Sequence, residues 1–179
     1  MQVYNRIAIM NHIDIKQAYL TGIFMAIKAL WPILVLLLIM AIVKIIYVIY
    51  ENNKLKTCGI YEIDRMGGRV FEKYLNVLFK QLGYNVKLTQ YVGDWGADLI
   101  IMKNGYKTVV QAKRYKNKVG VKAVQEVCAA RGKYDCQNAL VVTNSYYTKP
   151  AIELARANNV QLWNRNKLIA SLSQIQNQQ

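Results

Sequence analysis

An α/β sandwich with a central mixed sheet, preceded by a transmembrane helix, is the fold class this sequence predicts, on three observations. Beyond residue 64, stretches with helical apolar spacing alternate with short runs rich in β-branched residues. One such run, NALVVT at 138–143, is almost wholly apolar, the pattern of a strand buried on both faces and so covered by helices on both. Ahead of them, Ala29 to Tyr50 gives 22 residues with one charge, Lys44.

In chain order, residues 1–28 form an N-terminal segment in which Arg6, His12, Asp14 and Lys16 are scattered among Ile and Tyr. The pattern is weakly that of an amphipathic helix with Asn11 as its cap. Residues 29–50 read as the transmembrane helix: 22 residues at about 1.5 Å each span roughly 33 Å, enough for a hydrocarbon core of about 30 Å. Lys28 and Lys44 snorkel toward headgroups, Trp31, Tyr47 and Tyr50 suit the interfaces, and Pro32 falls near the first turn, where it costs least. A cleaved signal peptide would have a shorter apolar region and a small-residue cleavage site, which Tyr50 lacks after it; a buried core helix is the other alternative. Lys44, Lys54, Lys56 and Arg65 outnumber Lys16 and Lys28, which favours a single-pass protein of the cell membrane with its C-terminal domain cytoplasmic.

Residues 51–63 read as a polar linker and 64–172 as the domain. After Gly67-Gly68, the run RVFEKYLNVLFKQLG places Val70, Phe71, Tyr74, Leu75, Leu78, Phe79 and Leu82 at helical spacing, with Gly83 as the stop. YNVKLTQYV alternates as a strand. Two further strands flank Asn104-Gly105, the dipeptide that most readily supplies a tight hairpin turn. A helix over Val121–Tyr134, the strand 138–143, a helix over Thr148–Asn158 with Pro150 in its first turn, a strand over Val160–Trp163 and a helix over Asn166–Leu172 complete the order. Residues 173–179 read as a frayed tail.

Composition narrows the chemistry. The chain of 179 residues carries a formal net charge of +14, which points to a polyanionic partner, nucleic acid or an anionic membrane surface. Three cysteines without C-x-x-C spacing imply neither a disulfide framework nor a zinc ribbon. The single histidine, His12, lies outside the domain, so histidine bases and His-ligated zinc are excluded there, and hydrolysis would need carboxylates, lysine and a hard metal.

The polar groups of the hairpin fit that requirement. Asp98 opens one strand, while Gln111 and Lys113 interrupt the next at i and i+2 and so share a face. A carboxylate, an amide oxygen and an ammonium converging on one spot, with Glu72 from the preceding helix, are the groups that a Mg²⁺-assisted phosphodiester hydrolysis uses. The structural alternatives are a turn cap for Asp98, ordinary edge-strand positions for Gln111 and Lys113, and a solvated helix face for Glu72. Asp94, between glycines, reads as a turn residue rather than a ligand. Arg114, Lys116, Lys118 and Lys122 continue out of the same strand with Tyr115 interleaved, and are the candidate phosphate contacts. Residues 51–179 hold 20 Lys and Arg against 9 Asp and Glu, a net +11, so nucleic-acid binding there would weaken steeply with salt.

GDWGADLIIMKNGYKTVVQAKRY, with GGRVFEKYLNVLFKQLGYNV before it and VGVKAVQEV, ALVVTNSYYTKPAIELA and VQLWNR after it, resembles the Mrr-like restriction endonuclease domain of the PD-(D/E)xK nuclease superfamily, over about residues 64 to 170. The resemblance implies a restriction-endonuclease-like fold, Asp98 as catalytic acid and metal ligand, Gln111 as ligand or positioner of the attacking water, Lys113 to orient that water and stabilise developing charge, and Glu72 as supporting acid. Gln111 stands where other branches of the superfamily carry an acid, which removes one negative charge from the metal site. Gln125 falls on a polar position of the family's second helix, with no role assigned. The expected activity is that of a membrane-anchored, defence-like DNA endonuclease using Mg²⁺ (or Mn²⁺), with DNA and membrane lipid as partners and no small-molecule cofactor. The alternative is a non-catalytic module that tethers DNA at the membrane. Pairing in a homodimer to cut both strands is left open.

Overall fold

The protein is described from a computed structural model, over residues 2–56, 58–89 and 95–176; Asp94 lies outside the described residues. The chain divides into two compact units, Met1–Glu51 and Asn52–Gln179, which are taken separately.

The first unit is the greater part of helix α1, which runs for 55 residues from Gln2 to Lys56. Asn11 therefore lies inside a helix rather than at its start, and Pro32 is an interior residue rather than a first-turn one. The physical reason is that residues 2–31 contain no proline and a single glycine, Gly22, so nothing stops the helix from beginning about thirty residues earlier than composition suggests. Within α1, Tyr19–Lys56 is long and apolar enough to cross a membrane, and every side chain from Leu30 to Tyr50 is exposed.

The second unit begins with a departure from the expected linker. Its polar sequence is helical at both ends, as the last turn of α1 and as a short helix, α2 (Ile60–Arg65). Leu55 and Ile63 are buried in the domain core, with Cys58 and Ile60 packed against it, and that burial is what orders the stretch.

Next come α3 (Gly68–Gln81), β1 (Asn85–Leu88), β2 (Leu99–Lys103), β3 (Tyr106–Lys113), α4 (Val121–Lys133), β4 (Asn138–Thr143), α5 (Lys149–Ala157), β5 (Val160–Trp163) and α6 (Arg165–Gln176). Helix α3 stops where expected. Gly83 takes φ +82, Tyr84 N donates to Phe79 O at 3.0 Å and Gly83 N to Lys80 O at 3.0 Å, the paired bonds of a Schellman cap. The β2–β3 turn places Asn104 at φ 52 and Gly105 at φ 82, as a type I′ hairpin requires. Thr148 caps α5 by accepting from Ala151 N, with proline in the first turn.

The strands form one sheet in the order β1-β2-β3-β4-β5. The first three pair antiparallel and the last three parallel, so the sheet is mixed. Strand β3 is its middle strand and pairs on both sides as far as Val110; beyond it Gln111 and Lys113 pair with β4 alone, opposite Val141 and Thr143, and the β2 side is met by Asp98.

Alternation along the central strands feeds two separate cores. Val110, Leu140 and Val142 join Phe71, Leu75, Leu78 and Leu168 from α3 and α6 on one face. Val109, Ala139 and Val141 join Val124, Val127 and Ala151 from α4 and α5 on the other. Burying both faces of β4 is the three-layer arrangement that its apolar sequence implies. Helix α6 continues to Gln176, four residues beyond Leu172, because Ile175 packs into the first core; the part of the tail read as frayed that is described is helical to that point.

Candidate active site

By parity, Gln111 and Lys113 share the face of β3 that carries Val109, the side covered by α4. Asp98 sits one residue before β2 and is locked there by Asp98 N donating to Val110 O at 2.9 Å and Thr89 N donating to Asp98 O at 3.1 Å. The Thr89 hydroxyl also donates to Ala97 O. The Asp98 carboxylate reaches across to the middle strand, where Oδ2 accepts from Gln111 Nε2 at 2.8 Å and from Ala112 N at 2.6 Å. Two residues separated by 13 positions are thereby held in contact by the hairpin.

Lys113 meets a partner that sequence reasoning missed. Its Nζ lies 2.8 Å from Glu126 Oε2 on α4, both side chains being largely sheltered at 18% and 27% exposed, and Lys122 Nζ is 4.0 Å from Glu126 Oε1. The Lys122–Glu126 spacing of i,i+4 is legible in the sequence. The pairing with Lys113 is not, because it depends on α4 folding back over β3. Gly96 explains how closely these groups approach. At φ +85, a Cβ built there would stand 2.5 Å from Glu126 Cβ and 2.8 Å from Gln111 Oε1, so only glycine fits between them.

These groups open on a cavity of about 960 Å³ lined by Asp98, Gln111, Lys113, Glu126, Gln125, Glu72, Arg69, Lys73, Lys122 and Trp95, among others. Glu72 and Gln125 thus reach the same cavity as the hairpin residues. Of the basic run, only Lys122 lines it. Lys116 lines a second cavity of about 420 Å³ together with Asp64, Asn144 and Arg165, while Lys118 is exposed on the loop and Arg114 is half-buried.

Whether the site suits a divalent cation can be tested on its own atoms. Gln111 is 4% exposed, and its Oε1 has no hydrogen-bond partner among the described residues. A buried amide oxygen left bare beside a carboxylate is costly unless something meets it. No group of three or more His, Cys, Asp or Glu side chains converges among the described residues. The donors that meet at the hairpin are the Asp98 carboxylate and the Gln111 amide oxygen, hard ligands of the kind Mg²⁺ accepts when water completes its shell.

The second cavity is organised by an ion pair that also escaped the sequence. Arg165 grips Asp64 through Nη1–Oδ1 at 2.7 Å and Nη2–Oδ2 at 2.8 Å, Asn144 Nδ2 donates to Asp64 Oδ1 at 2.8 Å, and Arg165 Nη1 donates to Asn144 O at 3.0 Å. The hydrogen bond from Arg165, above all, holds the Asp64 carboxyl below its ordinary range, and the reciprocal bond raises Arg165. The three cysteines are unpaired thiols, and burial pushes each of them up. None of them lines the larger cavity.

A family model described as restriction endonuclease, that of the Mrr catalytic domain, matches residues 63–172. No curated protein matches the chain. Among solved structures, the chain is similar to the DNA modification-dependent restriction endonuclease AspBHI (TM-score 0.51, 20% identity, covering 72% of this chain and 38% of that one). It is also similar to MspJI restriction endonuclease, in a structure with a 27-mer oligonucleotide (TM-score 0.41, 21% identity, 73% and 30% covered). A third is AF1548, a protein of unknown function (TM-score 0.46, 16% identity, 52% and 55% covered). The chain thus spans between about a third and about a half of the length of each.

Proposed function

The chain belongs to the restriction endonuclease family of Mrr catalytic domains, and from that premise we propose that it is a membrane-anchored, Mg²⁺-dependent endonuclease that hydrolyses phosphodiester bonds in DNA as a defence function. The observation that carries this reading is the Asp98–Gln111 contact at 2.8 Å, with Lys113 two residues along the same strand face, on a cavity that also collects Arg69, Lys73 and Lys122.

In this reading Asp98 and Gln111 Oε1 hold the cation, Mg²⁺ or Mn²⁺. When bound, it neutralises the scissile phosphate and lowers the pKa of a water. The chain's own residues do the rest. The Ala112 N–H bond to Asp98 Oδ2 aims the carboxylate, and Gly96 admits the Gln111 amide beside it. Lys113 stands one residue beyond Ala112 to orient the attacking water and stabilise charge developing on the phosphate. Glu126 holds the Lys113 ammonium at the cavity wall until a phosphate competes for it. Glu72 is the supporting acid at the same cavity. Arg114, Lys116 and Lys118, with Lys122 nearer the site, contact the DNA backbone on either side of the cut.

Tyr19–Lys56 is the segment proposed to enter the membrane, with the domain on the cytoplasmic side. Washing cell membranes with high salt tests this: the chain stays in the pellet if it spans, and its release would end the anchor reading. The chemistry is tested on the full chain in detergent with supercoiled plasmid and Mg²⁺. Lys113→Ala is expected to slow nicking about 100- to 1000-fold, as losing one charge-stabilising group does elsewhere. Equal nicking by both proteins would show that the cutting does not depend on this site and would end the proposed chemistry, and nicking by neither would leave a chain that holds DNA at the membrane without cutting it.

A further inference from the structure

Trp95 is an aromatic residue of the cavity that the hydrolytic reading does not use. It is 64% exposed, yet it lines the same cavity as Asp98, Gln111 and Lys113. Its backbone is at φ 53, in the left-handed region that a bulky side chain rarely adopts. The cause is next door. Gly96 at φ +85 is wedged against Glu126 and Gln111 Oε1, and the chain turning into that wedge throws the preceding side chain outward. Lys133 Nζ, from the last turn of α4, sits over the indole at 5.2 Å from the ring centroid. Backbone strain of this kind clusters at active sites and ligand clamps, and here it presents a large aromatic ring to solvent at the rim of the cavity.

We propose that Trp95 is a nucleobase-stacking residue: it takes the face of a base that has left its stack next to the scissile phosphate, with Lys133 placed for the adjacent backbone. The ligand class is therefore DNA with an unpaired or displaced nucleotide. Indole stacking needs no particular base, and a cation beside the ring suits a phosphate-linked ring system. The inference deepens the nuclease reading and rests on it for the substrate.

The test measures binding on the full chain in detergent, in a Lys113→Ala background so that cleavage does not intervene. The probes are a fluorescent duplex with one unpaired adenine and its fully paired counterpart. Adding Trp95→Ala is expected to weaken binding of the first by about 5- to 150-fold, the range for losing one base–aromatic stack, and to leave the second within about twofold; Trp95→Phe keeps most of the affinity. Trp95→Asn, which tolerates a positive φ, is expected to lose the same binding while its melting temperature holds or rises. A ring that merely supports the fold would do the opposite. Equal losses on both probes, or no loss on either, would overturn the inference. Nicking by the chain with Lys113 intact is scored separately. A chain that never nicks but shows this pattern overturns the nuclease reading alone, and one that nicks without it overturns the stacking inference alone.

Discussion

Gly96→Ala is the sharpest test of the site's packing. The added methyl would meet Glu126 Cβ at 2.5 Å, Gln111 Oε1 at 2.8 Å and the Glu126 carbonyl carbon at 3.2 Å, in a backbone held at φ +85. The left-handed backbone costs an L side chain about 1–2 kcal/mol. Forcing a carbon into a tightly packed space costs about 1–3 kcal/mol more. The sum, roughly 2–5 kcal/mol, is a large share of a domain's stability of about 5–15 kcal/mol. Gly105→Ala is the matched control: its φ is +82, but nothing lies within 4 Å of the added carbon, so only the backbone cost applies. Urea unfolding followed by tryptophan fluorescence reads the difference, because Trp163 is packed on Phe79 at 5.3 Å inside the domain. The two variants are expected to differ by about 1–3 kcal/mol, with Gly96→Ala also slowing nicking. If Gly96→Ala is no less stable than Gly105→Ala, then Gln111 and Glu126 are not clamped as described, and the account of the site's geometry fails.

Three further outcomes are expected. Asp64→Asn should cost about 1–2 kcal/mol near neutral pH, a charge-assisted hydrogen bond discounted for partial exposure. Because the folded carboxyl is held below its unfolded value of about 3.9, that contribution is fully present above pH 4 to 5 and fades as pH falls through the folded value. The stability gap between wild type and variant should therefore shrink below pH 4, and a gap unchanged at pH 2.5 would refute the Arg165 pairing as its source. Glu126→Gln should lower the urea midpoint modestly and leave Lys113 mobile; a Lys113 crosslinking rate no higher than in wild type would count against the tether. Replacing Arg114, Lys116, Lys118 and Lys122 together by alanine should flatten the log–log salt dependence of DNA affinity by about 3–4 units, near 0.9 for each phosphate no longer neutralised, and an unchanged slope would remove these residues from the DNA interface.

Much of the site was legible before any fold was in hand, for reasons that are local. A strand's period of two puts Gln111 and Lys113 on one face whatever surrounds them, and Asn104-Gly105 brings Asp98 alongside through a two-residue turn. The same locality accounts for what was misjudged. Composition marks Pro32 as a first-turn residue and 51–63 as linker, but a helix goes on until something stops it, and a polar stretch becomes ordered when apolar residues within it, Leu55 and Ile63 above all, find a core.

By itself, then, the sequence determined the order of elements from α3 onward, the two-sided burial of β4, the apolar span, and the residue types able to do metal-assisted hydrolysis without histidine. Only the tertiary structure decided that Glu126 meets Lys113, that Arg165 reaches back 101 residues to Asp64, that Gln111 Oε1 is buried with no partner among the described residues, and that Trp95 stands out at the cavity rim. Patterns of period 2 and 3.6 report what each segment buries; they carry no information about which segment covers it. That is settled by how α4 crosses β3 at Gly96.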